Sequence, residues 1–162
     1  MLIRSEAYSD APAIRQVVQA AFGGPAEADL VDRLRATGDI AISLVAADDD
    51  RVIGHVLFCG MRAPFPALGL APVSVAPEHQ RRGIGNQLIR RGIADAEAAG
   101  WHCIFVLGDP GYYRRFGFDV ALASGFTSRY AGPLLMALAL GSRLPILHGE
   151  IEYPPAFGLL DQ

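Results

Sequence analysis

The residues Gln80-Arg81-Arg82-Gly83-Ile84-Gly85 follow a strand-like run, Val73-Ser74-Val75, and open a strongly helical segment. That order suits anion binding. Gly83 and Gly85 permit backbone conformations and close approaches that a Cβ would block, so successive N–H groups can converge on one ligand. The unpaired donors of the first helical turn add partial positive charge. Two other phosphate-binding patterns do not fit the letters. A dinucleotide fingerprint wants a third small residue where Leu88 stands, and a P-loop wants Gly-Lys-Ser/Thr. The chemistry in view is capture of a small phosphate or pyrophosphate group; the alternative is glycines that serve a βα turn for steric reasons only.

The elements that would position this cradle follow from periodicity. A helix is predicted over 83–99, where Ile84, Leu88, Ile89, Ile93 and Ala96 form an apolar stripe and Gly100 supplies the stop. The apolar run Cys103-Ile104-Phe105-Val106-Leu107 reads as a strand. Asp109 with Pro110 behind it then caps a short helix, with Tyr112 and Tyr113 near its start. Upstream, Leu2-Ile3-Arg4 begins a strand, and Ile14, Val17, Val18 and Ala21 recur at helical spacing until Gly23-Gly24-Pro25. A second short helix around Leu30, Val31 and Leu34 ends near Gly38. Runs 40–47 and 52–59 form an antiparallel hairpin about Asp48-Asp49-Asp50-Arg51, a solvated tip rather than a metal site. Residues 61–70, with Pro64 and Pro66, are expected to be an irregular loop before a strand over 70–75. Runs 134–140 and 147–153 should complete the sheet. No linker divides the chain, so one mixed α/β domain over 1–162 is expected.

Composition agrees. The 162 residues are 51% hydrophobic, enough for a full core. No apolar run reaches the roughly 18–20 residues needed to span a bilayer, and the N-terminus lacks a signal-peptide core, which points to a cytoplasmic protein with no membrane partner. A formal charge of −3 gives no footprint for nucleic acid, although Arg81, Arg82, Arg90 and Arg91 form a local basic cluster suited to a small polyphosphate. Arg90 and Arg91 read first as solvated helix-face charges. Cys59 and Cys103 lack metal-ligand spacing and read as reduced core residues, so no metal is expected.

The cradle resembles the signature Gln/Arg-x-x-Gly-x-Gly/Ala of the GNAT N-acetyltransferase superfamily, whose loop holds the pyrophosphate of acetyl-coenzyme A. Downstream, Tyr113-Arg114-Arg115-Phe116-Gly117-Phe118 resembles that family's Tyr-x-x-x-Gly-Phe segment, in the expected order. The run Gly108-Asp109-Pro110-Gly111-Tyr112-Tyr113 and the tail Glu152-Tyr153-Pro154-Pro155-Ala156-Phe157 are similar to the branch of predicted N-acetyltransferases labelled YhbS-like. The resemblance extends from Gly54-His55 to Phe157. It implies a central, mostly antiparallel sheet whose fourth and fifth strands splay apart, flanked by helices. It implies acetyl-CoA as cosubstrate and transfer to a primary amine by direct attack in a ternary complex. The main-chain groups of Val73 and Val75 would pair with the pantetheine arm like an added strand, and Arg81, Arg82, Gly83, Ile84, Gly85 and Asn86 would hold the pyrophosphate. Pro72 cannot donate a ladder hydrogen bond. At the point of divergence that N–H has no neighbour to bond; the alternative is a strand that starts at Val73.

The same resemblance places a general acid. Tyr113 stands four residues before Gly117, where the family's proton-donating tyrosine occurs, with Tyr112 as the fallback. An unperturbed phenol, with a pKa near ~10, can protonate a departing thiolate when positioned against it. The chain departs from the family in having only Asp109-Pro110-Gly111-Tyr112 before this tyrosine, without the usual asparagine. No acid stands at 70–75 to serve as general base; Ser74 can orient a water, with Glu78, His55 or Glu27 further along a relay. Residues 125–133 are expected to be a surface loop near the acceptor, in which Arg129 and Tyr130 can meet a carboxylate. Apolar residues around Phe65, Phe126 and Phe157 belong to a pocket or a homodimer patch. The acceptor itself, small molecule or peptide, is open. The rival reading is a non-catalytic acyl-CoA-binding domain, or a transferase with another acyl group or a hydroxyl acceptor.

Overall fold

The computed structural model describes residues 1–141 and 143–161. A short strand β1 (Leu2–Ser5) leads to helix α1 (Ala11–Phe22), which has Pro12 in its first turn and ends where Gly23 turns left-handed at φ 74°. Helix α2 (Ala26–Ala36) follows, its first turn acidic and its last basic, as the helix dipole favours. Strands β2 (Ile40–Asp48) and β3 (Arg51–Met61) make the expected antiparallel hairpin. Strand β4 (Ala67–Val75) then runs to helix α3 (Ile84–Ala98) and strand β5 (Cys103–Leu107). Helix α3 stops as predicted: Gly100 takes φ 88°, and the N–H groups of Gly100 and Trp101 bond back to Glu97 and Ala96.

The remainder is built of short pieces. The one-turn helix α4 (Pro110–Tyr113) carries the expected cap, Asp109 accepting from Gly111 N at 2.9 Å. Helix α5 (Val120–Ala123), strands β6 (Phe126–Thr127), β7 (Leu135–Ala139) and β8 (Gly149–Glu150), and a 3₁₀ segment at Pro155–Asp161 complete the described chain.

The main sheet has the order β1-β2-β3-β4-β5-β7, antiparallel throughout except for β4 with β5. Helix α3 covers one face, burying Leu88 and Ile89 against Leu44, Phe58 and Leu68. The approach is close at Gly92, where a Cβ would overlap the Phe58 ring. Helices α1 and α2 cover the other face, packing Ile14 and Leu30 against Val45 and Leu57. This is the mixed α/β, mostly antiparallel architecture that the resemblance implied.

Two expectations need correction. Strand β4 starts at Ala67 rather than Leu70, because Ala67, Leu68 and Gly69 already pair with Met61, Gly60 and Cys59. Small residues after two prolines hid that start. The run 147–153 does not join the main sheet. β7 takes the free edge of β5, and Asp119 bonds Ala137 from outside β7, so β8 pairs instead with β6 in a separate two-stranded sheet.

The sheet opens between β4 and β5. They pair only from Ala67 with Cys103 to Leu70 with Val106, while β4 stays with β3 as far as Val75. The register with β3 shifts at the same place: Leu70 faces Phe58 and Val73 faces Val56, so Ala71 and Pro72 together oppose Leu57. That is a β-bulge, and Pro72 sits in it. The strand therefore does not start at Val73; it runs through the proline.

Candidate active site

The cradle is built by two left-handed residues, Arg81 at φ 66° and Gly83 at φ 78°. They swing the chain from β4 into α3, whose first internal hydrogen bond is Gln87 N to Gly83 O at 3.1 Å. The N–H groups of Ile84, Gly85 and Asn86 thus have no acceptor within the helix. A Cβ on Gly85 would meet nothing closer than Tyr112 Oη at 3.7 Å, Val75 at 3.8 Å and Val73 at 4.0 Å. The protein itself does not demand a glycine there. Arg81 and Arg82 are exposed beside it.

Val73 and Val75 border the opened edge. Ala76 N donates to Ile53 O at 2.8 Å, so by antiparallel alternation Ser74 faces β3 with its main-chain groups while Val73 and Val75 point theirs into the gap left by β5. The Val75 carbonyl accepts from the Gln80 amide, Nε2, at 3.0 Å. The fold therefore gathers Val73, Val75, Gly85, Asn86 and Tyr112 around one slot.

The two tyrosines differ in setting. Tyr112 Oη donates to Asn86 Oδ1 at 2.6 Å, and the Arg115 guanidinium lies 4.4 Å from its ring centroid. It is tied to the cradle. Tyr113 packs edge-on against Phe118, and a Cβ on Gly108 would come within 2.6 Å of its ring. Burial, with the neighbouring Tyr112, pushes its phenol up to about 12. Arg90 stacks 5.0 Å from the Phe116 centroid, whereas Arg91 turns the other way to Asp95 and the Ile3 carbonyl.

On the α1/α2 side of the fork lies a cavity of about 140 Å³ lined by Leu70, Ala71, Leu107 and three rings, Tyr130, Tyr153 and Phe157. The same rings line an outer groove of about 560 Å³ that reaches Arg129 and Pro154. The loop with Arg129 and Tyr130 is thus at the mouth, Arg129 stacking on Tyr130 and Tyr130 on Tyr153. Phe157 belongs here, but Phe65 and Phe126 are core residues, packed edge-on at 5.7 Å. Burial raises the Tyr153 phenol well above the ordinary range, and its hydroxyl has no hydrogen-bond partner among the described residues.

Of the relay candidates, Glu78 pairs with Arg51 at 2.6 Å on the exposed hairpin side, and Glu27 lies in the first turn of α2. His55 is different: it is fully buried on β3, directly opposite Ser74, and bonds Ser43 at 2.8 Å. Ser43, Glu6 and Tyr153 carry no role legible in the sequence, yet Ser43 and Glu6 extend the His55 contacts and Tyr153 lines the cavity. Ser43 and His55 were visible as lone polar letters at inward positions of two β-rich runs. Nothing local marked Glu6, and Tyr153 stood out only as part of the tail that resembles the YhbS-like branch; the partners of both come from distant segments.

A sheet forked between β4 and β5, with a glycine cradle at the fork's mouth, defines an acyl-CoA-type transferase fold. The chain belongs to the GNAT acetyltransferase family, whose domain model matches residues 3–121. It is 37% identical over 136 residues to the N-acetyltransferase YhbS of Escherichia coli K12, a match covering 82% of this chain and 81% of that protein. It is 39% identical over 134 residues to YjhQ of the same strain, covering 77% and 74%. Among solved structures, Escherichia coli YhbS in complex with CoA superposes with a TM-score of 0.90 at 32% identity, covering 97% of this chain and 91% of that one. A GNAT family acetyltransferase from Brucella melitensis in complex with acetyl-CoA gives 0.82 at 40% identity, covering 96% and 97%.

Proposed function

We propose that this N-acetyltransferase binds acetyl-CoA along the opened edge of β4 and acetylates a primary amine that enters through the aromatic groove. The observation that carries the reading is the fork: a strand edge freed from Ala71 to Val75 leads directly to the open N-terminus of α3. The CoA and acetyl-CoA complexes of the two solved relatives support the choice of ligand. Val73 and Val75 offer main-chain donors and acceptors to the pantetheine amides once Gln80 releases the Val75 carbonyl. Backbone N–H groups from Arg81, Arg82, Gly83, Ile84, Gly85 and Asn86 receive the pyrophosphate, with the helix dipole behind them.

Acetyl-CoA supplies the activated acyl group. The amine nitrogen forms a bond to the acyl carbon as the carbon–sulfur bond breaks, Tyr113 gives its phenolic proton to the leaving sulfur, and the proton that the nitrogen sheds on becoming an amide restores the Tyr113 phenol. Burial keeps Tyr113 protonated, and the same exclusion of water raises the proton affinity of the thiolate it faces. The rings of Tyr130, Tyr153 and Phe157 favour an amine carried on an aromatic or apolar body.

Calorimetric titration with acetyl-CoA and CoA, beside a free-thiol release assay over aromatic and aliphatic amines, tests this. Binding with release on one amine class is expected. Binding with no release on any amine would favour a non-catalytic acyl-CoA-binding domain, and no binding would overturn the cofactor assignment.

A further inference from the structure

A chain of polar side chains crosses the buried α1/α2 side of the sheet. The Arg35 guanidinium donates to Glu6 at 3.0 and 3.1 Å. Ser43 Oγ donates to Glu6 Oε1 and lies 2.8 Å from His55 Nε2. Glu6, Arg35 and Ser43 line an open cleft, so this end reaches solvent. The hydrogen-bond directions are fixed. A carboxylate only accepts, so the single Ser43 proton is committed to Glu6, and Ser43 must accept from His55 Nε2–H. His55 is then the Nε2–H tautomer, and its Nδ1 carries a bare lone pair.

That lone pair has no partner among the described residues, and neither has the Ser74 hydroxyl. Both atoms are buried, and His55 and Ser74 are directly opposed across β3 and β4. Opposed residues hold their Cβ atoms about 4.5–5.5 Å apart, a span that a rotation of the Ser74 side chain or one bridging water closes. Ser74 in turn sits between Val73 and Val75. Two unsatisfied groups, a lone pair and a hydroxyl, thus stand on opposed residues beside the freed edge of β4, at the inner end of a chain whose outer end is wet.

We propose that Ser74, His55, Ser43 and Glu6 form a proton exit for the acceptor amine, which accounts for the absence of a carboxylate base on β4. Ser74 Oγ–H donates to His55 Nδ1 while taking a proton from the substrate ammonium, directly or through water. His55 Nε2 passes its proton to Ser43, and Ser43 passes its own to the Glu6 carboxylate, which releases it to the cleft. One proton leaves the amine and one reaches solvent; His55 is left as the Nδ1–H tautomer. It returns to Nε2–H before the next turnover by taking a proton at Nε2 from the cleft through Glu6 and Ser43 and giving up its Nδ1 proton through Ser74 to water that enters once product has left. Burial holds the imidazole down at about 4, with Glu6 and Arg35 the charged groups acting on it in opposite senses, so it rests neutral between turnovers. These are relay and positioning residues, and the proposal rests on the acetyl-transfer reading above.

The test uses the whole chain, with benzylamine as acceptor, as wild type, Ser74→Ala and His55→Gln. The glutamine keeps a donor toward Ser43 and lacks Nδ1. Both variants should lose on the order of 100-fold in kcat/KM near neutral pH, the scale of general base catalysis. The loss should shrink as pH rises past the pKa of the amine, with acetyl-CoA affinity changed less than twofold. An equal loss at every pH, or no loss, would overturn the relay. Histidine ¹⁵N spectra of the wild type give a readout that needs no turnover: the Nε2–H tautomer is expected, and an Nδ1–H tautomer or a neutral-pH imidazolium would overturn it. Wild-type protein that neither binds acetyl-CoA nor acetylates amines would remove the acetyl-transfer reading and the relay with it. A turning-over wild type with variants of unchanged pH profile would remove the relay alone.

Discussion

The ring of Tyr153 lies across Gly69 of β4, so that a Cβ on that glycine would come within 2.7 Å of Tyr153 Cε1 and 3.1 Å of Met61 Sδ. A residue from the C-terminal tail thereby walls the fork by resting on bare backbone. Gly69→Ala should force the ring toward the cavity, with the roughly 1–3 kcal/mol cost of overpacking. A lowered Tm and a raised KM for the acceptor, with acetyl-CoA affinity retained, are the expected readings. Tyr153→Phe makes a useful partner to it. The hydroxyl is buried without a partner, so its removal should leave Tm equal or higher.

Tyr113→Phe separates catalysis from binding. The ring's packing against Phe118 and Gly108 is kept, so stability should be unchanged within about 0.5–1.5 kcal/mol, the scale of one net hydrogen bond. Turnover should fall by roughly 100-fold or more, as for loss of a general acid. Titration of acetyl-CoA into the variant should match wild type. Full turnover would take Tyr113 out of the mechanism. Tyr112→Phe, which frees Asn86, should act on coenzyme affinity instead.

Gly83→Val and Gly85→Ala probe the cradle in different ways. Nothing lies within 4 Å of a Cβ on Gly83, but its φ of 78° is costly for any other residue, about 1–2 kcal/mol on steric grounds. The valine should relax the turn and weaken acetyl-CoA binding with a modest drop in Tm. At Gly85 the backbone is helical and the nearest contact is 3.7 Å, so alanine should leave Tm intact. Calorimetry should still show weaker binding, because the new methyl enters the space the phosphates approach. Wild-type affinity in both would place the anion elsewhere.

Acid should act through His55. Its folded pKa, about 4, lies below the unfolded value of 6.5, so the unfolded chain binds the extra proton first as pH falls. Stability is then fully present above about pH 6.5 and is lost progressively down to about pH 4. The full loss is about 3 kcal/mol by linkage. Urea unfolding at several pH values should show that slope, and His55→Gln should flatten it.

The helix α3 with its Gly83 entry, the hairpin about Asp49 and the Asp109 cap were legible because each is written in contiguous letters: a 3.6-residue stripe, a polar turn between β-rich runs, an N-cap before proline. The fork was legible through Pro72, although only by likeness to a family. The start of β4 was not, since Ala67 and Gly69 carry little strand preference and owe their place to pairing with Met61 and Cys59. Strand β8 was overestimated because a β-rich run says nothing about which edge remains free. The Glu6–Ser43–His55 chain depends on the register of two ladders, and Tyr153 on a packing partner more than eighty positions away. Local pattern cannot encode either.

The extra residue opposite Leu57 changes the parity of β4. Before it, Leu68 and Leu70 face α3 while Gly69 turns to Tyr153; after it, Val73 and Val75 face α3 and Ser74 faces His55. In an uninterrupted strand, odd and even positions would keep their sides, and Ser74 would stand among the leucines of the helix side. Regular pairing of these same residues would set Val73 against the imidazole and the Ser74 hydroxyl in the oil, whereas removing either Ala71 or Pro72 would take out the bulge and leave Val73 opposite Val56 and Ser74 opposite His55. The bulge takes up one surplus residue, and so the hydroxyl rather than a valine stands against the imidazole.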